Sequence, residues 1–171
     1  MKGYVQVYTG PGKGKTTAAM GLALRAVGAG LRVYLAQFVK GMRYSELESL
    51  KLLADSITVR QYGRNCFIHG NPGEEDRCRA REALAEVREI MLSGRYDLII
   101  LDEANIATSL GLFPVEDLLE LIRARPEHVE LVITGRNADP RVLEAADLVT
   151  EMRDVKHYFA SGVKARAGIE K

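Results

Sequence analysis

The stretch that decides the fold is TGPGKGKTT at residues 9–17, which lies between a strand-like segment and a helical pattern. Residues 4–8 (YVQVY) are β-branched and aromatic, which predicts a strand. Apolar residues recur at helical spacing after Lys15, which predicts a helix over residues 15–29. A strand, a glycine-rich loop and a helix in this order are the context of a P-loop, which binds phosphates.

The residue types in this loop suit phosphate binding. Glycines let backbone N–H groups point inward, and the helix start adds partial positive charge. We expect Lys15 to contact phosphates and the Thr16 hydroxyl to bind a magnesium ion. The usual P-loop pattern starts with a glycine, whereas this chain has Thr9 at that position. For Thr17, the alternative to a binding role is that it simply packs in the first helical turn. The alternative for the whole loop is a glycine-rich turn without a ligand. The predicted nucleotide-binding set is Thr9, Gly10, Pro11, Gly12, Lys13, Gly14, Lys15, Thr16 and Thr17.

A second half of a nucleotide site follows the apolar segment DLIIL at residues 97–101, which predicts a buried strand. Asp102 and Glu103 come directly after it, and at the carboxyl end of a parallel strand they would face the ligand crevice. One carboxylate can hold a metal ion, directly or through water. The alternative is an acidic strand end that caps the next helix.

The remaining segments alternate between strand and helix patterns. This alternation predicts an α/β fold of the P-loop NTPase (RecA-like) kind, with a mostly parallel sheet covered by helices on both faces. We expect one domain over residues 1–171. The further strands are predicted at 31–38, 57–62, 129–134 and 148–152, and the further helices at 45–54 (from a Ser45/Glu48 capping box), 74–92, 114–124 (Pro114 first) and from Asp139.

Composition excludes several classes of protein. Of 171 residues, 24 are Lys or Arg and 23 are Asp or Glu, so the net charge of +1 excludes a general nucleic-acid binder and a polybasic membrane patch. Apolar runs are too short to cross a bilayer, and no secretory signal is visible. The two cysteines, Cys66 and Cys78, form neither a disulfide scaffold nor a CxxC zinc motif, which predicts a reducing, cytoplasmic location.

Besides the P-loop, five further blocks of sequence carry a resemblance to a known family, and together they cover nearly the whole chain. They are QFVKG at 37–41, LDEAN at 101–105, VITGRNADP at 132–140, ADLVTEM at 146–152 and KHYFASGVKARAGIE at 156–170. With the P-loop, this succession resembles the P-loop branch of the ATP:corrinoid adenosyltransferases. The resemblance implies transfer of the 5′-deoxyadenosyl group of ATP to the cobalt of a reduced corrinoid, with release of triphosphate, in adenosylcobalamin synthesis or salvage. The corrinoid would be cob(I)alamin or cob(I)yrinic acid a,c-diamide.

The resemblance also implies roles for single residues. Lys15, Thr16 and Glu103 would be catalytic, with Thr16 and Glu103 on a Mg²⁺ (or Mn²⁺) ion and Asp102 one layer behind them. Arg136 would lie near the nucleotide or the corrinoid. Phe67 would take the place of an aromatic pair that presses on the corrin in other members, although an ordinary loop-anchoring role is the alternative. A flavodoxin-type reductant and a homodimer are implied as well, without a nucleic acid or membrane partner.

Two other functions are compatible with a P-loop. A kinase or ATPase would act at the γ-phosphate and release ADP rather than triphosphate. A regulatory module would bind ATP and turn nothing over. Neither the arginine-rich lid of a kinase nor the cysteine-rich zinc lobe of a thymidine-kinase-like protein is visible in the sequence.

Overall fold

The described part of the chain forms one six-stranded parallel sheet. The computed structural model describes residues 2–39, 41, 44–63 and 72–170. The strand order is β3-β2-β4-β5-β1-β6, and every pairing is parallel, which confirms the predicted class of sheet. The strands are β1 (Val5–Thr9), β2 (Val33–Gln37), β3 (Ile57–Gln61), β4 (Leu98–Asp102), β5 (Glu130–Thr134) and β6 (Leu148–Glu151).

Helices cover both faces of this sheet, as predicted. Side chains alternate between faces along a strand, so Leu98 and Ile100 of β4 pack on one side, while Ile99 and Leu101 pack on the other. The helices α1 and α2 cover the first side, and α3 to α6 cover the second. Their bounds are α1 (Lys15–Gly28), α2 (Ser45–Lys51), α3 (Glu74–Leu92), α4 (Ala104–Ser109), α5 (Val115–Ala124) and α6 (Pro140–Ala145), and a 3₁₀ turn follows at Tyr158–Ser161.

Burial separates the central strands from the edge. All five residues of β2 and all five of β4 are buried, because helices cover both faces of the sheet there. In contrast, all four residues of β6 are exposed. The apolar Leu148 and Val149 of β6 are each 45% exposed, so this edge of the sheet presents hydrophobic side chains.

Three local predictions were wrong. Ser45 is the first residue of α2 and the cap is Tyr44, so Ser45 and Glu48 do not form the predicted capping box. The same helix ends at Lys51 instead of residue 54, because the chain turns into β3 there. Pro114 caps α5 in an extended conformation and is not its first residue. The short helix α4 had not been predicted at all.

The carboxyl ends of four adjacent strands bring polar residues to one edge of the sheet. Gln37 ends β2, Asp102 ends β4, Thr134 ends β5 and Thr9 ends β1. Because β5 lies between β4 and β1, the acidic strand is not adjacent to the strand that leads into the phosphate loop. The side chain of Thr134 occupies the position between them.

Candidate active site

The phosphate loop curls around the ammonium group of Lys15. Gly10 and Gly14 have φ angles of 92° and 114°, which residues with a Cβ rarely adopt. The resulting curl brings two loop carbonyls onto Lys15. Its Nζ donates to the oxygen of Gly10 at 2.7 Å and to that of Gly12 at 2.6 Å. The lysine predicted to contact phosphates is therefore buried inside the loop, with 6% of its surface exposed.

Burial and neighbouring charges both act on the ammonium group of Lys15. Burial lowers the pKa of Lys15 below its ordinary value, and the guanidinium of Arg136 lowers it further. The carboxylates of Glu103 and Asp154 act in the opposite direction. A buried ammonium beside another cation is a strong attractor of negative charge, so this end of the loop suits a polyanion such as a triphosphate.

Asp102 connects residues of three other elements, namely β2, β5 and α1. Its Oδ1 accepts hydrogen bonds from the hydroxyls of Thr16 and Thr134, each at 2.8 Å. Its Oδ2 accepts from Nε2 of Gln37 at 3.1 Å, and Gln37 in turn accepts from Gln61 at 3.0 Å. Asp102 is fully buried. These contacts fix the position of the Thr16 hydroxyl at the start of α1.

Glu103 stands at a sharp turn between β4 and α4. Its φ of 62° is rare for a residue with a side chain, and its backbone N–H donates to the Thr134 hydroxyl at 3.0 Å. Glu103 occupies the cap position of α4, but its side chain makes no capping hydrogen bond. Glu103 instead lines the cavity described below. The geometry thus separates it from the plain helix cap that the sequence left open.

A cavity of 1160 Å³ brings most of the predicted residues together. Pro11 to Thr17, Glu103 and Arg136 line it. Thr17 is exposed there and does not pack in the first turn. Thr9 and Gly10 line a different cavity of 430 Å³, which also touches Pro11 and Arg136. Phe67 lies outside the described residues.

Several residues of the site had no role in the sequence-based prediction. Gln37 and Thr134 support Asp102 from neighbouring strands, and their place at strand ends was the available signal. Apolar side chains also line the large cavity, where we call them its apolar wall, and residues of the segment after β6 line it as well. The apolar wall consists of Met20, Leu24, Val39, Leu50, Leu53, Ile106 and Leu110, and the segment contributes Asp154, His157, Gly168, Ile169 and Glu170.

The oxygen donors near the loop suit a hard divalent cation. Within the described residues, no group of three or more His, Cys, Asp or Glu side chains forms a protein-only metal site. Thr16 and Glu103, which carry a hydroxyl and a carboxylate, nevertheless line the same cavity. Mg²⁺ is usually bound by one or two such oxygens together with substrate phosphates, so this donor set fits it.

Comparison with known proteins places the chain in a family. The model of the family described as "ATP:corrinoid adenosyltransferase BtuR/CobO/CobP" matches residues 1–170. The chain belongs to this family. The resemblance seen in the sequence blocks is thereby confirmed over nearly the full length of the chain.

Named relatives agree with this assignment. A corrinoid adenosyltransferase of Pseudomonas aeruginosa is 35% identical over 170 residues, covering 99% of this chain and 84% of that protein. A corrinoid adenosyltransferase of Escherichia coli (strain K12) is 35% identical over 169 residues, covering 99% and 86%. The "Corrinoid adenosyltransferase CobA" of Salmonella typhimurium is 34% identical over 169 residues, with the same coverage.

Among the described residues, no helix is both long and apolar enough to span a membrane.

Proposed function

We propose that this chain transfers the 5′-deoxyadenosyl group of ATP to the cobalt of a reduced corrinoid and releases triphosphate. The corrinoid would be cob(I)alamin or cob(I)yrinic acid a,c-diamide, in adenosylcobalamin synthesis or salvage. One observation carries the proposal: in a member of this family, Lys15, Thr16, Glu103 and Arg136 line a single cavity with the phosphate loop. The loop curled around Lys15 supplies the cationic end of that cavity.

The chemistry matches what these residues offer. Co(I) attacks the ribose 5′ carbon, the new cobalt–carbon bond forms, and the bond from that carbon to the triphosphate oxygen breaks. The electron pair of the broken bond leaves with triphosphate, so negative charge builds on the departing oxygen. Lys15 and the loop N–H groups stabilise this charge electrostatically. Co(I) is itself the nucleophile, and the protein needs to supply none.

A Mg²⁺ ion, or Mn²⁺, belongs to the same proposal. Thr16 and Glu103 would hold it with the phosphates, and Asp102 would keep the Thr16 hydroxyl in place through the hydrogen bond of 2.8 Å. When bound, the ion would neutralise part of the negative charge of the phosphates. Arg136 lines both cavities and would contribute its positive charge next to Lys15.

The corrinoid would meet the ATP at the less polar side of the site. The apolar wall of the large cavity provides surface of the type that suits a macrocycle and an adenosine. We retain Phe67 as the residue that presses on the corrin, on the strength of the sequence resemblance. Replacement of Phe67 by Ala should therefore raise the KM for the corrinoid and leave that for ATP unchanged.

The remaining parts of the proposal concern partners. A flavodoxin-type protein would deliver the electron that produces Co(I), and a cytoplasmic location would suit a substrate that needs a reducing compartment.

We also propose a homodimer of single-domain chains spanning residues 1–171. The exposed apolar residues Leu148 and Val149 on the edge strand β6 support it, since such edges are commonly covered.

An anaerobic assay tests the proposed reaction. The protein is mixed with ATP, Mg²⁺ and chemically reduced cob(I)alamin, while the corrinoid spectrum and released triphosphate are followed. We expect a light-sensitive adenosylcorrinoid and an equal amount of triphosphate. Release of ADP and phosphate without alkylation would instead indicate an enzyme acting at the γ-phosphate. ATP binding without any turnover would indicate a regulatory module.

Matched lysine variants connect that activity to the loop. Lys15→Ala should lower the rate at least a hundredfold, because the buried ammonium next to the phosphates is lost. Lys2→Ala is the control, since Lys2 is exposed and precedes β1 at the opposite end of the strand. Equal rates in the two variants would contradict the assignment of Lys15.

A further inference from the structure

The segment after β6 packs directly on the backbone of the phosphate loop. The N–H of Gly12 donates to the carbonyl oxygen of Met152 at 2.7 Å. A Cβ on Gly10 would lie 2.4 Å from that same oxygen, and a Cβ on Gly12 would lie 2.7 Å from it. Both contacts are too close for any side chain. The two glycines therefore serve the approach of this segment as well as the curl of the loop.

Glu170 is the centre of a charged cluster that ties the same segment together. Its carboxylate accepts from the backbone N–H of Arg166 at 2.8 Å and from the guanidinium of Arg166 at 3.1 Å. It also accepts from the hydroxyl of Tyr158. Only 14% of the Glu170 side chain is exposed. Its many donors hold the pKa of Glu170 well below the ordinary range, Arg166 having the largest effect and Tyr158 the next.

Lys13 joins this cluster to the phosphate loop. Its Nζ donates to Glu170 at 3.1 Å, to the Tyr158 hydroxyl at 3.2 Å and to the backbone oxygen of Ile169 at 3.2 Å. An ammonium group has three hydrogens, so these three acceptors use its full donor capacity. Lys13 is thus committed to the segment, although it is one residue away from Gly14 at the start of α1.

The segment held by Lys13 is also a wall of the large cavity. Gly168, Ile169 and Glu170 line it together with Lys15 and Thr16. One set of contacts consequently fixes both the phosphate loop and the adjoining residues 168–170 of the cavity lining. A binding site whose parts are ordered before the ligand arrives loses less conformational entropy on binding.

We propose that Glu170 and Tyr158 are positioning residues for ATP, acting through Lys13. They hold the phosphate loop and residues 168–170 in the arrangement that binds the nucleotide. This inference rests on the proposed function, in which the large cavity binds ATP. It predicts an effect on ATP affinity and none on the affinity for the corrinoid, because the hydrogen bonds of the cluster reach the phosphate loop through Lys13.

Steady-state kinetics of the full chain test the inference. Glu170→Gln keeps the shape of the side chain but removes its charge, and Lys13→Met removes the other partner. Each should raise the KM for ATP at least fivefold, with kcat and the corrinoid KM changed less than twofold. The double variant should be no worse than the poorer single variant, because both changes break the same link. Glu116→Gln is the control, since it removes the partner of Arg141 (2.6 Å) away from the cavity and should leave the KM for ATP unchanged.

Limited trypsin digestion gives a second measurement, the ratio of the cleavage rates without and with ATP. The segment contains an exposed cleavage site at Lys164, whose side chain is not among the partners of Glu170 described above. ATP should slow cleavage there at least threefold in the unmodified chain, and this protection should be absent in Glu170→Gln. The result that overturns the inference is unchanged ATP KM and unchanged protection in both single variants while the unmodified chain binds ATP. Failure of the unmodified chain to bind ATP in calorimetry would instead overturn the proposed function.

Discussion

Replacement of Thr134 by Val should cost stability out of proportion to the size of the change. The substitution keeps the side-chain volume and removes one hydroxyl at a fully buried position. That hydroxyl donates to Asp102 at 2.8 Å and accepts from the backbone N–H of Glu103 at 3.0 Å. Both partners therefore lose a contact at the place where β4, β5 and the phosphate loop meet.

The expected magnitude follows from these two hydrogen bonds. A bond to a charged group contributes about 1.5–3 kcal/mol, and an unsatisfied buried N–H costs about 1–3 kcal/mol. Asp102 keeps the Thr16 donor on the same oxygen, so we expect a net loss of about 3 kcal/mol in the free energy of unfolding. For a chain of this size, that loss lowers Tm by about 6–12 °C.

Calorimetry and urea unfolding measure this loss directly. The matched control is Thr150→Val, the same substitution on the exposed edge strand β6, which should change stability by less than about 0.5 kcal/mol. The turnover of ATP should also fall about tenfold in Thr134→Val, because the turn that carries Glu103 loses its anchor. The reasoning is refuted if the two variants have the same Tm.

Two further predictions concern the phosphate loop and the segment that covers it. Gly12→Ala should destabilise the chain by about 2 kcal/mol and impair ATP binding, because its Cβ would lie 2.7 Å from the Met152 oxygen. The control is Gly28→Ala, where a Cβ meets open space, and it should be neutral or stabilising by up to about 1 kcal/mol. Equal urea midpoints for the two would contradict this packing. The Glu170 cluster should stabilise the segment above the unfolded carboxyl pKa of about 4.3, and this contribution should be lost as pH falls through the lowered pKa of the folded state. An NMR titration of the Glu170 carboxyl signal checks it, and a midpoint of about 4.3 would show that Arg166, Tyr158 and Lys13 do not hold the carboxylate.

The pattern of the sequence predicted the elements well where each is long or strongly apolar. The helix α3 runs over the predicted residues 74–92, because its one apolar face and acidic first turn mark both its orientation and its start. All six strands were found, with boundaries that are exact or differ by at most two residues. The helix α4 was missed since it has only six residues and follows a turn at Glu103 whose positive φ has no sequence signal.

The candidate site was predictable to the extent that it is local in sequence. The P-loop pattern placed Lys15 at the end of a curled glycine loop, and Lys15 contacts residues only three and five positions away, although its bonds to their carbonyl oxygens were not predicted. The contact between Thr16 and Asp102 joins residues 86 positions apart. This contact was not predicted, although the family resemblance placed Asp102 one layer behind Thr16 and Glu103.

By itself, then, the sequence determined the alternation of strands and helices, the phosphate loop and the acidic end of β4, since each depends on neighbouring residues. The tertiary structure decided the strand order, which inserts β5 between β1 and β4 and thereby gives Thr134 its role. It also decided that Lys13 meets Glu170, a contact across 157 positions of sequence. Such contacts arise only when the whole sheet is assembled, because nothing in the spacing of the residues encodes which distant side chains will share a surface.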